Sequence, residues 1–475
     1  MSFSTTTTTT TRKPPRERTK AVFSNAEVRL GNLDVVGFDY DFTLVSYTHA
    51  VQNLVYEKAK NFLCNELSYP AELSASKFDS SFCIRGLVFD RKNGTLLKLN
   101  SRQMITPGSV FKGRKRLRHP EVLATYNQSL HMPQRHIKSY CRPLEDQFSL
   151  AQGCLISDVI QLAEDLNINY DPYWLHADVL RAINFAHGAG GMHAEIIKDV
   201  AKYIHPSPKL PIFLQRQAEA GQKLFLLTNS PFNFVNAGMN FLCGNEWMKM
   251  FDICMFEASK PSFFRSKKKF RSLDSSNQFS KWGVVSDYEV SNHRPLVGGS
   301  VSEMMRLTGW QGKQFMYWGD HVFADLAEPS RESGWATGAI VRELHDEIKT
   351  LNSDEYLQLA SVGKEIEVEM LSCGGSGSGC GGGGGGGGGE RRSNESPTFD
   401  DLEKRRNANF KSKSMLFNPN FGSIFSSRGQ SSSFGGNVLR VTDLYTSKLE
   451  NLMDYPTDHR FFPKRLEHMP HDVVG

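Results

Sequence analysis

Four short apolar runs, each broken off by a polar or acidic cluster, constrain the fold of this chain more than any other feature. They are LDVVGF at 33–38, KLFLL at 223–227, the run within FDICMFEASKPSFF at 251–264, and KQFMYWG at 313–319. Uninterrupted apolar runs this short suit strands buried on both faces of a sheet. The intervening stretches carry helical spacing. One is 48–68, where Leu54, Val55, Ala59, Phe62 and Leu63 recur at helical intervals, and another is 209–220, ended by Gly221. Strand, helix, strand in this order means βαβ units and a parallel sheet. GWATGAIVREL at 334–344 is a candidate fifth strand.

The gap between the first two strands is too long for a simple crossover. It runs from about 44 to about 223, whereas a crossover needs about a dozen residues. Within it, 80–118 mixes strand-like runs (FCIRGLVFD, GTLLKLN) with Gly and Pro turns, and helical patterns follow at 155–168 and 174–204. The fold class expected is therefore α/β: a doubly wound parallel-sheet core, formed by 22–46 and 208–345, with a large α+β cap (47–207) inserted after strand 1. Beyond the core, 346–372 reads as a helical extension. The stretch 373–395, with nine consecutive glycines at 381–389, reads as a linker. The remainder, 396–475, looks too small to fold alone and is expected to dock on the core or on a neighbouring subunit.

Composition narrows the function classes. A net charge of +5 over 475 residues does not argue for nucleic acid. No apolar run approaches the ~18 residues of a membrane span, so no membrane partner is expected. The eight cysteines show no C-x-x-C pairing, which speaks against structural zinc and a disulfide framework. Residues 1–21 are Thr-rich and basic but nearly lack apolar residues, which fits a disordered tail better than a transit peptide. The expected compartment is the cytoplasm, with mitochondria as the alternative. Two basic clusters, KGRKRLR at 112–118 and RSKKKFR at 265–271, read most simply as solvated loops.

The chemistry sits where the apolar runs stop. In GFDYDFTL (37–44), Asp39 and Asp41 stand two residues apart just past a strand, with Thr43 behind them. One carboxylate of such a pair can attack phosphorus, and the other can protonate the leaving oxygen and later activate water. LLTNSPF (226–232) offers Thr228, Asn229 and Ser230, whose hydroxyl, amide and turn N–H groups can hold phosphate oxygens. Lys260, in ASKPSFF, can neutralise charge on a transferring group. In YWGDHVFADL (317–326), Gly319 permits a sharp turn, and Asp320 and Asp325 offer carboxylates to a hard cation such as Mg²⁺. Each motif alone has an ordinary explanation: a capped strand end, a turn, a surface lysine. Four of them, in order, at the carboxyl ends of four strands, mark the edge where open α/β sheets bind ligands.

The set resembles the haloacid dehalogenase superfamily of phosphohydrolases. FDYDFTL is similar to its first motif, LLTNS to its second, Lys260 to its third and GDHVFAD to its fourth. GFDYDFTL, SFCIRGLVFD, LFLLTNSPFNFV, KPSFF, NPNFGSIF (418–425) and VLRVTDLY (438–445) further resemble the 5′-nucleotidase domain-containing proteins, relatives of the cytosolic purine 5′-nucleotidases. The resemblance implies an Mg²⁺-dependent phosphomonoesterase acting on a small phosphorylated substrate, a nucleoside monophosphate, and assembling as a homo-oligomer. It implies that Asp39 is nucleophile and metal ligand, and that Asp41 is general acid/base with its carbonyl on the metal. Thr228, Asn229, Ser230 and Lys260 would bind phosphate. Asp320 would complete the metal site, supported by Asp325.

One segment departs from the purine nucleotidases. Where they place an Arg, an Asp and a Lys along a helix to hold the nucleotide, this chain has Leu180, Asn184 and His193, with Arg181 one position off and His187 retained. Losing charged partners should cost base selectivity. A protein keeping the fold with little or no turnover, in a binding or regulatory role, is therefore the alternative reading.

Overall fold

The computed structural model describes residues 19–188, 190–274, 276, 282–283, 285, 293–375 and 397–463. The threonine tract, the glycine run and the last dozen residues lie outside the described residues.

All five expected core strands form, as Val35–Phe38, Lys223–Leu227, Ile253–Phe256, Phe315–Gly319 and Ala336–Ile340. They belong to one nine-stranded sheet. Its order across the sheet is Phe23–Ser24, Leu444–Thr446, Ala336–Ile340, Phe315–Gly319, Val35–Phe38, Lys223–Leu227, Ile253–Phe256, Leu296–Gly298 and Phe270–Ser272. The inner pairings are parallel, and only the two outermost pairs are antiparallel. The continuous apolar runs have the expected cause. Alternate residues enter different cores: Val36, Phe38, Leu224, Leu226, Met316 and Trp318 pack in one cluster, while Val35, Phe225, Leu227, Phe315 and Tyr317 pack in another. Both faces of the sheet are thus buried, at about 1.5–3 kcal/mol for each large side chain removed from water.

Strand order fixes where a site can lie. From Val35–Phe38 the chain steps outward one way, to Lys223–Leu227 and Ile253–Phe256. It then returns to lay Phe315–Gly319 on the other flank of Val35–Phe38. That reversal opens a crevice beyond the carboxyl ends of these strands.

Between the first two core strands the chain builds helices His49–Glu66, Ser149–Asp165 and Pro172–His187 and a separate five-stranded antiparallel sheet. That sheet has its own apolar core, including Leu97, Leu99, Val110 and Met132. The helical pattern over 174–204 is realised in three pieces, Pro172–His187, Met192–Lys198 and Val200–Tyr203. Gly188 closes the first piece, and Gly191, at φ 72°, opens the second. Glycine tolerates such backbone angles where helix continuation would not.

The C-terminal segment docks on the body of its own chain. Leu444–Thr446 adds a parallel strand beside Ala336–Ile340. Phe399–Met415 pairs with the long helix Asp354–Gly375, joined through Ile366, Met370 and Leu402. Residues 421–426 are gripped by buried Lys98, whose Nζ donates to the carbonyls of Phe421, Ser423 and Ser426 at 2.9, 2.5 and 2.7 Å.

Candidate active site

The four polar motifs converge on the crevice. Asp39 follows Phe38 directly, and its N–H bonds the Trp318 carbonyl at 2.8 Å, tying the first motif to the strand that carries the fourth. The chain then turns through Tyr40–Leu44, with Phe42 in the left-handed region at φ 52°. A bulky residue there is strained unless its surroundings fix it. The rings of Tyr47 and Phe148 do so, with centroids 5.0 and 4.9 Å from that of Phe42. Beside this kink the Asp41 carboxylate is oriented by two hydroxyls, accepting from Tyr47 and from Ser230 at 2.6 Å each.

Lys260 is the hub. Its Nζ lies 2.7 Å from Asp39 Oδ1 and 2.7 Å from Asp325 Oδ1. It also donates to the Tyr317 hydroxyl at 3.0 Å, and that hydroxyl donates to the Leu227 carbonyl at 2.9 Å. Asn229 braces the lysine's backbone from both sides. Its Oδ1 accepts from the Lys260 N–H at 2.6 Å, and its Nδ2 donates to the Lys260 carbonyl at 3.2 Å. The expected phosphate ligand Asn229 thus has its side chain committed to positioning Lys260. Thr228 is buried, and its hydroxyl accepts from the Ser230 N–H at 3.0 Å, closing the turn.

Asp325 reaches the hub over Gly319. A Cβ at position 319 would lie 2.5 Å from the Asp325 Cβ, so the close approach requires glycine. Asp325 Oδ2 in turn accepts from the His321 N–H at 3.1 Å. Asp320 lies beside buried Arg85, a residue from the inserted region. Arg85 Nη1 donates to the Asp320 carbonyl at 3.2 Å and lies 3.8 Å from its Oδ2.

Carboxylate oxygens of Asp39, Asp320 and Asp325 lie within 4.8 Å of one another, and all three residues are buried. Burial pushes Asp39 well above the usual carboxylate range. Asp325 and Asp41 reinforce the shift, and Lys260 opposes it. Asp320 is raised likewise, by burial and by Asp325, with Arg85 opposing. Burial works against the charge on Lys260, but Asp325 and Asp39 outweigh it and hold the ammonium well above its ordinary range. Asp320 Oδ2 is buried and, among the described residues, has no hydrogen-bond partner. Such an orphan is costly. An all-oxygen, multiply acidic cluster with an unsatisfied buried atom fits a hard divalent cation.

A second cluster, Asp90, His136 and Cys141, is equally compact but already satisfied. Asp90 accepts from the Lys92 N–H at 2.9 Å, Asn93 Nδ2 at 2.7 Å and the Tyr126 hydroxyl at 3.0 Å, and it pairs with His136 Nε2 at 2.9 Å.

Residues 22–474 match the model of the 5′ nucleotidase family. The chain belongs to this family. A 5′-nucleotidase domain-containing protein of Dictyostelium discoideum is 35% identical over 461 residues, which cover 95% of this chain and 74% of that protein. The human 5′-nucleotidase domain-containing protein 2 is 31% identical over 457 residues, covering 94% of this chain and 84% of its own. The rat protein of the same name is also 31% identical, with 94% and 79% covered. As a member of the 5′ nucleotidase family the chain is a phosphomonoester hydrolase. Among its described residues no helix is long and apolar enough to cross a membrane.

Two features of this family member escaped the sequence reading. Tyr317 sits inside an apolar run and carried no signal of its role as a rest for Lys260. Arg85 stands within SFCIRGLVFD, a motif that marks kinship without naming the contact. Of the positions compared along the inserted helix, Leu180 and Asn184 are exposed, and Arg181 lies over the Phe62 ring at 5.6 Å. His193 stacks on Phe234 at 4.2 Å. Burial holds its imidazole below the ordinary range, with the Asp41 charge opposing. His187 packs edge-on against Phe148 at 4.9 Å and bonds the Ile183 carbonyl through Nδ1.

Proposed function

We propose that this chain hydrolyses a nucleoside 5′-monophosphate or a similar small phosphomonoester through an aspartyl-phosphate on Asp39, with Mg²⁺ as cofactor. The observation that carries the reading is the buried cluster of Asp39, Asp320 and Asp325 around Lys260. Asp39 attacks phosphorus, and the bond from phosphorus to the ester oxygen breaks. Asp41 delivers a proton to the departing oxygen. Asp41 then takes a proton from water, whose oxygen attacks the aspartyl-phosphate, releasing inorganic phosphate and restoring Asp39. Tyr47 and Ser230 keep the Asp41 carboxylate aimed through both halves. Lys260 offsets charge beside the nucleophile. Asp39, Asp320 and the Asp41 carbonyl would hold Mg²⁺, which when bound supplies positive charge to the phosphoryl oxygens and relieves repulsion among the acids.

The region 47–207 serves in this proposal as a cap over the crevice. Its Phe148 packs on Phe42, its His187 on Phe148, and its His193 feels the Asp41 charge. Flat rings favour a planar substrate part by stacking. The uncharged, exposed Leu180 and Asn184 argue for broad base selectivity. They also favour the second reading, a regulatory protein with low turnover, which the complete acid set opposes.

The test is phosphate release from a panel of nucleoside monophosphates and non-nucleotide phosphomonoesters, with and without Mg²⁺. Mg²⁺-dependent release that Asp39→Asn abolishes is the expected result. Equal background release by both proteins across the panel would sink the proposal.

A further inference from the structure

Asp320 differs from the other acids of the cluster in what touches it. Asp39 and Asp325 are paired with Lys260, whereas among the described residues the cation paired with Asp320 is Arg85. The Arg85 side chain is fully buried, yet it belongs neither to the strands nor to the loops that build the crevice. Each of its parts is engaged. Nε and Nη2 fork onto the Glu343 carboxylate at 2.8 and 2.6 Å. Nη1 turns the other way, to the Asp320 carbonyl at 3.2 Å. The guanidinium lies 4.9 Å from the ring centroid of Phe434, in the C-terminal segment.

The fork is held from outside. Glu343 Oε1 also accepts from Gln147 Nε2 at 2.7 Å. Next to the arginine, Gly86 is left-handed at φ 83°, and a Cβ there would lie 2.5 Å from the Phe434 Cβ. The arginine is therefore held at its guanidinium by Glu343 and beside its backbone, at Gly86, by Phe434. Its Nη1 is the one described cation within ion-pair distance of the Asp320 carboxylate. A buried carboxylate with no such neighbour prefers to be protonated and to turn away. A guanidinium with a fixed fork can hold a backbone carbonyl and a carboxylate in one orientation, because its donors lie in one rigid plane.

We propose that Arg85 is a positioning residue for the metal centre: braced by Glu343 and Phe434, it fixes Asp320 in place for a divalent cation, so that the inserted region and the C-terminal segment both control metal affinity. The inference rests on the metal centre under Proposed function. It assigns a role to a residue that touches neither substrate nor cation. The bland alternative is an Arg85–Glu343 ion pair that only joins regions of the chain. That role would set stability and leave metal affinity alone.

The experiment reads Mn²⁺ binding to the full-length protein by the loss of the free-ion electron paramagnetic resonance signal, so no substrate is required. Wild type, Asp39→Asn, Arg85→Lys, Glu343→Gln and the Arg85→Lys/Glu343→Gln double variant are titrated, and the thermal transition of each metal-free protein is recorded. Lysine keeps the charge but cannot fork onto Glu343 and reach the Asp320 carbonyl together. The expected outcome is Mn²⁺ binding to wild type that Asp39→Asn loses, and binding about 10-fold or more weaker in Arg85→Lys, the range for groups that orient metal ligands. Glu343→Gln, which acts only through Arg85, weakens binding less, and the double variant is no worse than Arg85→Lys alone. Wild-type affinity in a cooperatively folding Arg85→Lys overturns the inference. If that variant does not fold, wild-type affinity in Glu343→Gln overturns it instead. If wild type and Asp39→Asn bind Mn²⁺ equally weakly, the metal centre itself is absent, and this inference falls with it.

Discussion

Two clusters in this molecule look alike as collections of residues and differ in what surrounds them. Asp39, Asp320 and Asp325 gather at the sheet edge, and Asp90, His136 and Cys141 gather in the inserted sheet, each within 4.8 Å. In the inserted sheet, local donors saturate Asp90. Two of them, Lys92 and Asn93, come from its own turn. At the sheet edge Asp39 comes from a part of the chain far from Asp320 and Asp325. Among the described residues Asp320 Oδ2 has no hydrogen-bond partner, and burial holds the carboxyls of Asp39 and Asp320 well above their usual range. Saturated acids hold a turn together. Under-saturated buried acids are stable only with something further bound, and that is the physical mark of a site.

The sharpest way to break this contrast is to neutralise one acid in each cluster. Asp39→Asn should lower phosphate release by about 10⁴-fold or more, as losing a nucleophile does. Asp90→Ala should leave turnover per folded molecule unchanged and cost about 1–3 kcal/mol of stability for each buried donor left unpaired, read by denaturant unfolding. Next in size is Gly319→Ala. The added methyl displaces Asp325, and an ångström of misplacement at a catalytic cluster costs about 10²-fold in rate, read as kcat with Mg²⁺ saturating. Third, Mg²⁺ at 100 times its Kd should stabilise wild type by about 2.7 kcal/mol. Asp320→Asn should abolish that gain and Asp90→Ala should retain it. A thermal shift of equal size in wild type and Asp320→Asn would place the cation elsewhere.

The smallest effect concerns pH. Glu145, next to Asp146 and near Arg85, is pushed up to about 7, mainly by burial and then by Asp146. A carboxyl raised in the folded state contributes stability that is fully present below its unfolded value, near 4.3, and is lost as pH rises through about 7. Wild type should therefore lose thermal stability between pH 5 and 8, and Glu145→Gln should flatten that slope. An identical slope in both proteins would show that Glu145 is not the group responsible.

The sheet was legible because its signal is local. The two-sided burial of Val35–Phe38 or Phe315–Gly319 writes itself into the sequence as an unbroken apolar run, and the acids that follow are visible as interruptions. The long helical reading over 174–204 failed in part, since Gly188 closes one helix and Gly191 opens the next, and periodicity alone undervalues such glycines. The tasks of Asn229 and Tyr317 were not legible at all. Asn229 acts on Lys260 from the end of one strand and Tyr317 from within another, and no spacing along the chain encodes that distance.

The inventory is written in the residues alone: an α/β core, a long insertion after the first strand, and Asp39, Asp41, Thr228, Ser230, Lys260, Asp320 and Asp325 in order at strand ends. These follow from periodicity and residue chemistry, which are properties of short stretches. Which of these groups share a low-dielectric space was set by folding. It brought three acids and Lys260 together, left Asp320 Oδ2 without a hydrogen bond among the described residues, and carried Arg85 from the insertion to Asp320. The reason is that Coulomb energy and desolvation depend on separation and burial in space, and only folding sets those for residues hundreds of positions apart.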